Sequence, residues 1–379
     1  MNYRKAAETF HPGIFIEEEL EERGWSQLDL AEILGKSPRD INFLINGKLS
    51  VTPKTAIGLA EAFDTNPQLW MNLETSYQLS LAQKETSDVA LRAKLYEKFP
   101  VREMVKRHWI KTSTNDAVLV RRFCEFFEIS SLDSAVEFDC AFRKSTSYNE
   151  NNLYQCAWFY RAKKLANACL IEQKFSQAKL KKCLETLRLL LHEPLEVRHV
   201  PRIMKEAGIR FIIVEAMPKS KIDGATFWLD RNSPVVVLSL RLDRIDNFWF
   251  TLMHELSHVR NEDKKDKVIL DIDLLGEGDS TKPPYEIRAD NESAEFLIPS
   301  TELDNFIQRV QPYYLEWKIQ AFALNIKVHA GIVVGQLHHR FTETGRGLPY
   351  THLRKLLEKV RHIIIETAFT DGYGYVPSV

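Results

Sequence analysis

Long apolar runs, paired cysteines and a strong charge of either sign are all missing from this sequence. No apolar stretch approaches the roughly 18 residues that a membrane span requires, so neither a transmembrane segment nor a membrane partner is expected. Met1–Glu8 has no apolar core of the secretory kind, so no signal peptide is expected either. The five cysteines (Cys124, Cys140, Cys156, Cys169 and Cys183) are odd in number, widely spaced and never form C-x-x-C. That argues against a disulfide framework or a cysteine-based zinc knuckle and fits a reducing cytoplasm. Glycine and proline number only 15 each in 379 residues, with 44% apolar and 27% charged residues. A collagenous, fibrous or mostly disordered chain is excluded on those grounds.

What is present suits two or three globular domains. The net charge of −1 hides an uneven distribution. Residues 1–83 carry seven Lys/Arg against twelve Asp/Glu, and residues 84–200 carry twenty-one against fifteen. Residues 10–83 read as short helices punctuated by Gly24, Gly35, Gly47, Pro53 and Pro67. Residues 84–206 read as almost wholly helical, with long stretches at Leu153–Leu170 and Gln177–Leu191. Residues 207–379 change character. The β-branched runs Arg210–Val214 and Pro234–Ser239 are expected strands. A helix at about 243–261 follows, then a polar loop from Asp263 to Pro284, then helix to about 364.

Within the first region, Gln27–Leu34 is a short helix expected to bury Leu28, Ala31 and Leu34. Gly35 supplies a tight turn. Ser37 is a good N-cap, Pro38 suits the first helical position, and Asp40 lies three residues after the cap. The next helix buries Ile41, Leu44 and Ile45. Two short helices joined by a glycine turn form a helix-turn-helix unit, whose second helix enters the major groove when such a unit binds DNA. Ser37, Arg39, Asp40, Asn42 and Asn46 are then candidates for base edges, and Gln27, Lys48 and Lys54 for the phosphate side, with Lys36 a further DNA-binding candidate on the same basic face. Residues 35–55 are net basic, whereas acids cluster at Glu17–Glu22. The competing reading is a small helical bundle for protein contacts.

His11-Pro-Gly, Glu18-Glu19-Leu20, Gly24-Trp-Ser-Gln, Leu30-Ala31, Leu34-Gly35, Ile45-Asn46-Gly47-Lys48, Thr55-Ala56, Leu59-Ala60 and Phe63 together resemble the Xre-like repressors, most closely the HigA-type antitoxins. The resemblance covers about seventy residues. It implies a dimer that binds operator DNA and represses its own gene, often together with a toxin's.

In the third region, His254-Glu255-Leu-Ser-His258 is H-E-x-x-H within a helical pattern. Spacing of four puts both imidazoles on one face, one turn apart, where they can share a tetrahedral Zn²⁺. Glu255 then faces the open metal position and can take a proton. The bland alternative is two histidines on a partly polar helix surface. In the Glu-zincin arrangement the third ligand is a Glu on a following helix, supported by an acid four residues on. Glu286-Ile-Arg-Ala-Asp290 has that pattern, with Asp290 a candidate partner for His254 or His258. Asp271, Asp273, Glu277 and Glu292 are lower-ranked rivals for the third ligand. His329, Tyr285 and Tyr314 are candidate oxyanion stabilisers, with a core or surface role as the alternative for each.

Asn247-Phe-Trp-Phe-Thr-Leu-Met-His-Glu-Leu-Ser-His258, followed by Glu286-x-x-Ala289-Asp290 and Ala294-Glu-Phe-Leu-Ile-Pro299, looks like the ImmA/IrrE family of metallopeptidases. The likeness extends through the strands near 210–239 and the helices to about 340. Some members cleave a repressor and so release transcription. Tyr96–Ile110 resembles the linker of fused Xre–ImmA/IrrE proteins; the rest of 84–206 has no chemical motif, and its basic runs Arg161–Lys164 and Lys179–Lys182 read as solvated faces.

The combined expectation is a cytoplasmic bacterial or phage regulator, mainly α with a small β-sheet. It comprises an N-terminal helix-turn-helix domain (1–83), a helical connector (84–206) and a C-terminal α+β zincin-like domain (207–379). The implied cofactor is Zn²⁺. The implied partners are double-stranded operator DNA, a second copy of the chain, and a RelE-like toxin or a repressor substrate. Restrained proteolysis is expected, with the Asp263–Pro284 loop as the restraint and Pro234–Ser239 as the edge on which a peptide lies. The alternative is an antitoxin-repressor whose zinc domain senses or binds a partner without cutting.

Overall fold

Side-chain caps set where the first helices begin. A computed structural model describes residues 10–82, 87–132, 150–263, 265, 269–272, 283–345, 348–349 and 351–371. The chain forms two compact units, Met1–Lys94 and Leu95–Val379.

The first unit contains α1 (Pro12–Arg23), α2 (Gln27–Leu34), α3 (Pro38–Ile45), α4 (Pro53–Phe63) and α5 (Pro67–Ala82); α6 (Ser87–Lys98) begins in it. Ser26 and Asp29 make a reciprocal capping box at α2, and Ser37 and Thr52 cap α3 and α4. Such caps each contribute about 0.5–2 kcal/mol. Gly35, at φ 60°, supplies the left-handed turn between α2 and α3. Ile16, Leu20, Leu30, Ala31, Ile41, Leu44, Leu59, Phe63 and Trp70 fill one core. The expected inner face of α2 needs correction. Leu28 is 61% exposed, and Leu30 takes its place in the core beside Ala31. Leu28 lies in the first turn, and α2 rotates so that the Leu30–Ala31 pair faces inward.

The second unit opens with the helices α7 (Val101–Lys106), α8 (Asp116–Phe126), α9 (Glu150–Ala168), α10 (Gln177–Arg188) and α11 (Val200–Glu206). Then come β1 (Arg210–Ile213), β2 (Ile222–Trp228), β3 (Pro234–Leu238), α12 (Ile245–Asn261) and β4 (Ile269–Ile272). The chain continues with α13 (Pro284–Leu297), α14 (Ser300–Val310), α15 (Glu316–Ile326), α16 (Ala330–Thr344), α17 (Arg361–Ile364) and β5 (Phe369–Thr370). The middle helices pack directly on the sheet. Arg107 donates to the Glu215 and Ala216 carbonyls at 2.8 Å each, and the buried Trp158 indole donates to Val214 O at 2.8 Å. Cys156 and Cys183 are buried, Cys124 and Cys169 are half-buried, and Cys140 lies outside the described residues.

The sheet order is β4-β2-β3-β1-β5. β3 runs parallel to β1 and antiparallel to β2, with Val236 opposite both Phe211 and Thr226. Pro234–Ser239 is therefore central, contrary to the expected edge. A Val-Val-Val run buried on both faces suits an inner strand. Among the described residues β4 and β5 have a partner on one side only. β4 also corrects the loop reading of 263–284. Ile269–Ile272 pairs antiparallel with β2, placing Asp271 opposite Gly224. The rest of that expected loop lies, apart from its ends and Lys265, outside the described residues. No described helix is long and apolar enough to cross a membrane.

Candidate metal centre and candidate nucleic-acid interface

α12 carries the H-E-x-x-H motif inside the second unit, and every residue from Ile245 to Val259 is buried. Apolar side chains on all sides of this helix anchor it between sheet and helices. His254 and His258 are both fully buried. Their Nε2 atoms lie 3.1 Å apart. Glu286 Oε2, from the first turn of α13, lies 3.1 Å from the first and 3.7 Å from the second.

The far side of each ring meets an acid. His254 Nδ1 is 3.0 Å from Asp290 Oδ1, one turn after Glu286 on α13. His258 Nδ1 is 3.0 Å from Asp263 Oδ2. A neutral imidazole has one N–H; at His258 the Asp263 carboxylate takes it at Nδ1, and Asp290 stands at the corresponding nitrogen of His254 without a formed hydrogen bond, so its charge favours the same tautomer there. Each Nε2 is then a bare lone pair. Two such lone pairs and a carboxylate oxygen converging at 3.1–3.7 Å repel unless a cation lies between them. Tetrahedral zinc with bonds of about 2.0–2.1 Å sets its ligands about 3.3 Å apart. The donor set and its spacing therefore fit Zn²⁺. Among the described residues this trio is the group able to hold a metal ion.

Glu255 is fully buried and turns toward β2. The Thr226 hydroxyl donates to its Oε2 at 2.6 Å. Gly224, on the same face of β2 as Thr226, lies against the same carboxylate. A Cβ there would stand 2.1 Å from Oε1, so any larger residue displaces the carboxylate from this position.

The rivals for the third ligand are placed elsewhere. Glu292 binds Ser257 at 2.5 Å, Asn261 at 3.1 Å, and Arg260. Burial raises its carboxyl, but those donors outweigh it and hold the group below the ordinary range. Asp271 lies on β4. Asp273 and Glu277 fall outside the described residues. Of the oxyanion candidates, Tyr285 has its ring 6.0 Å from that of His258. His329 instead caps α16 and meets Glu358 at 3.2 Å, and Tyr314 packs against the main core. Sequence reasoning passed over Asp263, Thr226 and Gly224. Asp263 stands five residues after the second histidine, and Gly224 and Thr226 alternate in a segment not recognised as a strand.

In the first unit, α3 turns Ile41, Leu44 and Ile45 inward and leaves Arg39, Asn42 and Asn46 exposed. Ser37 is exposed, and its hydroxyl is already engaged as the cap on Asp40 N at 3.1 Å. Asn42 Nδ2 donates to Gln27 Oε1 at 3.3 Å, tying α3 to the start of α2. Asn46 Nδ2 donates to Asn42 O at 2.9 Å. Lys36 is half-buried; Lys48 and Lys54 are exposed. The Arg39 guanidinium and the Lys48 ammonium lie 5.1 Å and 5.9 Å from the centre of the Phe43 ring.

Two family models match these two regions. A helix-turn-helix model covers residues 16–70, and a peptidase-family model described as an IrrE N-terminal-like domain covers residues 204–342. The HTH-type transcriptional regulator YddM of Escherichia coli is 35% identical over 86 residues, which is 23% of this chain and 90% of that protein. Virulence-associated protein I of Dichelobacter nodosus is 34% identical over 80 residues, 21% of this chain and 74% of the relative. Among solved structures, a HigA-family addiction module antidote protein from Coxiella burnetii is 34% identical, covering 21% of this chain and 86% of its own, with a TM-score of 0.20. The Pseudomonas aeruginosa antitoxin HigA with the higBA promoter gives the same identity, coverage and TM-score, 34%, 21% and 86%, and 0.20. The chain belongs to the Xre-like helix-turn-helix regulators, and it joins that domain to an IrrE-like domain of the peptidase class.

Proposed function

We propose that this protein is a cytoplasmic DNA-binding regulator whose second unit is a zinc-dependent peptidase acting on a regulatory protein or on the chain itself. The convergence of His254, His258 and Glu286, with an acid behind each imidazole, carries the peptidase reading. Bound zinc supplies Lewis acidity toward an oxygen of the substrate. The chain's own residues do the rest. Glu255 accepts a proton from the attacking water at its carboxylate as the water oxygen bonds to the carbonyl carbon, and returns that proton to the amide nitrogen as the C–N bond breaks. Thr226 holds that carboxylate in one orientation, and Asp290 and Asp263 hold the two rings. β4, at the sheet edge beside β2, is the strand along which an extended peptide adds.

Purified protein should contain one zinc, and His258→Ala should lose it. Glu255→Gln should keep zinc and DNA binding yet abolish cleavage, because it removes the base and spares the ligands. Equal zinc in wild type and His258→Ala would sink the metal site.

α3 is the reading helix in this proposal. A dimer should bind an inverted repeat with half-site centres about one helical turn apart. Arg39→Ala should relax base preference, and Lys48→Ala should weaken binding and flatten its salt dependence. No retardation of DNA from the protein's own promoter at low salt counts against it. A small RelE-like toxin encoded beside this gene, and retained by the purified protein, would make the chain an antitoxin as well.

The complete burial of His254, Glu255 and His258 favours a second reading, in which the zinc domain senses a partner and does not cut. Comparing wild type with Glu255→Gln in cells under DNA damage or phage infection separates the two. Identical full-length protein and promoter output would leave only the sensing reading.

A further inference from the structure

The outward face of α3 is polar except at Phe43. This ring is half-buried, yet it stands outside the core cluster that Ile41, Leu44 and Ile45 join from the opposite face. Two cations lie close to it, Arg39 one turn before it and Lys48 just after the helix. The Lys48 amide donates to Phe43 O at 2.8 Å, which fastens the basic turn against the same residue. Asn42 and Asn46 flank it on the exposed surface. A fold has no need of an aromatic ring there, and two cations beside it suit a polyanionic partner.

Hydrogen-bonding side chains read the donors and acceptors of the major groove. Its apolar mark is the C5-methyl group of thymine, which is matched by apolar contact. We propose that Phe43 is a specificity-determining residue that packs on the methyl group of one thymine per half-site, while Arg39 and Lys48 run along its ring toward phosphates or neighbouring base edges. The inference rests on the DNA-binding reading above and names what that interface selects.

The test uses the full chain and a random-sequence duplex library. In the selected site, each thymine is replaced in turn by deoxyuridine, which removes only the methyl group. Wild type should lose about fourfold in affinity at one thymine per half-site, as expected for one methyl withdrawn from a contact. Phe43→Ala should bind more weakly throughout and respond to the same replacement by less than about 1.5-fold. If Phe43→Ala does not fold, Phe43→Gln replaces it as a helix-compatible polar variant. Selection with Phe43→Gln should no longer recover thymine at that position. No loss at any deoxyuridine, or an equal loss in wild type and variant, overturns the role of Phe43 while leaving DNA binding intact. Failure to select any duplex overturns the DNA reading and this inference with it.

Discussion

Asp263 reaches back to His258 because of the residue before it. Glu262 ends α12 in the left-handed conformation at φ 51° and ψ 38°, which reverses the chain and returns the Asp263 amide to His258 O at 3.1 Å. Arg288 holds the same carboxylate from α13. Asp263→Asn or Asp290→Asn should therefore leave three metal-binding side chains in place and lower zinc affinity by about 10–100-fold. Competition against a chromophoric chelator reads this directly, and unchanged affinity in both variants would mean the acids do not orient the rings. Glu215 offers a separate residue-scale prediction. Burial pushes its carboxyl up to about 7, against the pull of Arg361, whose guanidinium lies 2.7 Å away. Between the ordinary glutamate range and about 7, the folded chain keeps a proton the unfolded chain has released. This group's contribution to stability is thus largest in acid, falls as pH rises to that value, and is flat above it. From pH 5 to pH 8, Glu215→Gln should gain on wild type by roughly 1–2 kcal/mol in urea unfolding, allowing for partial solvation. A pH-independent difference between the two would refute this.

At the scale of elements, the caps and the strands β1 and β3 were legible, and the order of the sheet was not. Ser37-Pro38 and Gly35 announce α3 and its turn because capping chemistry is local. H-E-x-x-H and Glu286-x-x-x-Asp290 were legible for a similar reason, since helical spacing fixes which side chains share a face. Strand order depends on partners far along the chain. The unbroken Val235–Val237 run is a sequence sign of burial on both faces, but which strands flank it is settled only by β1 and β2. β2 was missed because Asp223 and Gly224 interrupt its apolar pattern, yet each interruption has a role in the fold. Gly224 makes room for Glu255, and Asp223 pairs with Arg241 at 2.9 Å. The order of strands predicts a gradient in amide exchange. Val235–Val237, flanked on both sides, should exchange near the global limit of their unit, and Ile269–Ile272 much sooner. Equal protection of β3 and β4 would contradict the sheet order.

Over the whole molecule, each unit has its own core. Leu30, Ile41, Leu59 and Trp70 serve the first, and Trp249, Val236, Ile212 and Val333 lie in the second. Units with separate cores unfold as separate cooperative transitions unless a large interface couples them. Calorimetry should resolve two transitions. Stripping zinc with a chelator should lower the transition of residues 95–379, and operator DNA should raise that of residues 1–94, because a ligand stabilises only the unit that binds it. A single transition that moves with both treatments would mean the units act as one. The contact between Gly224 and Glu255 has a consequence for inheritance as well. One strand position and one helix position occupy the same small volume, so neither can change freely alone. An added methyl at 224 should be tolerated best where 255 has shortened to aspartate. Suppressor pairs isolated from a damaged variant, and drift among descendants of this chain, should therefore fall on these two positions together, a genetic linkage produced by the room for a single carbon atom.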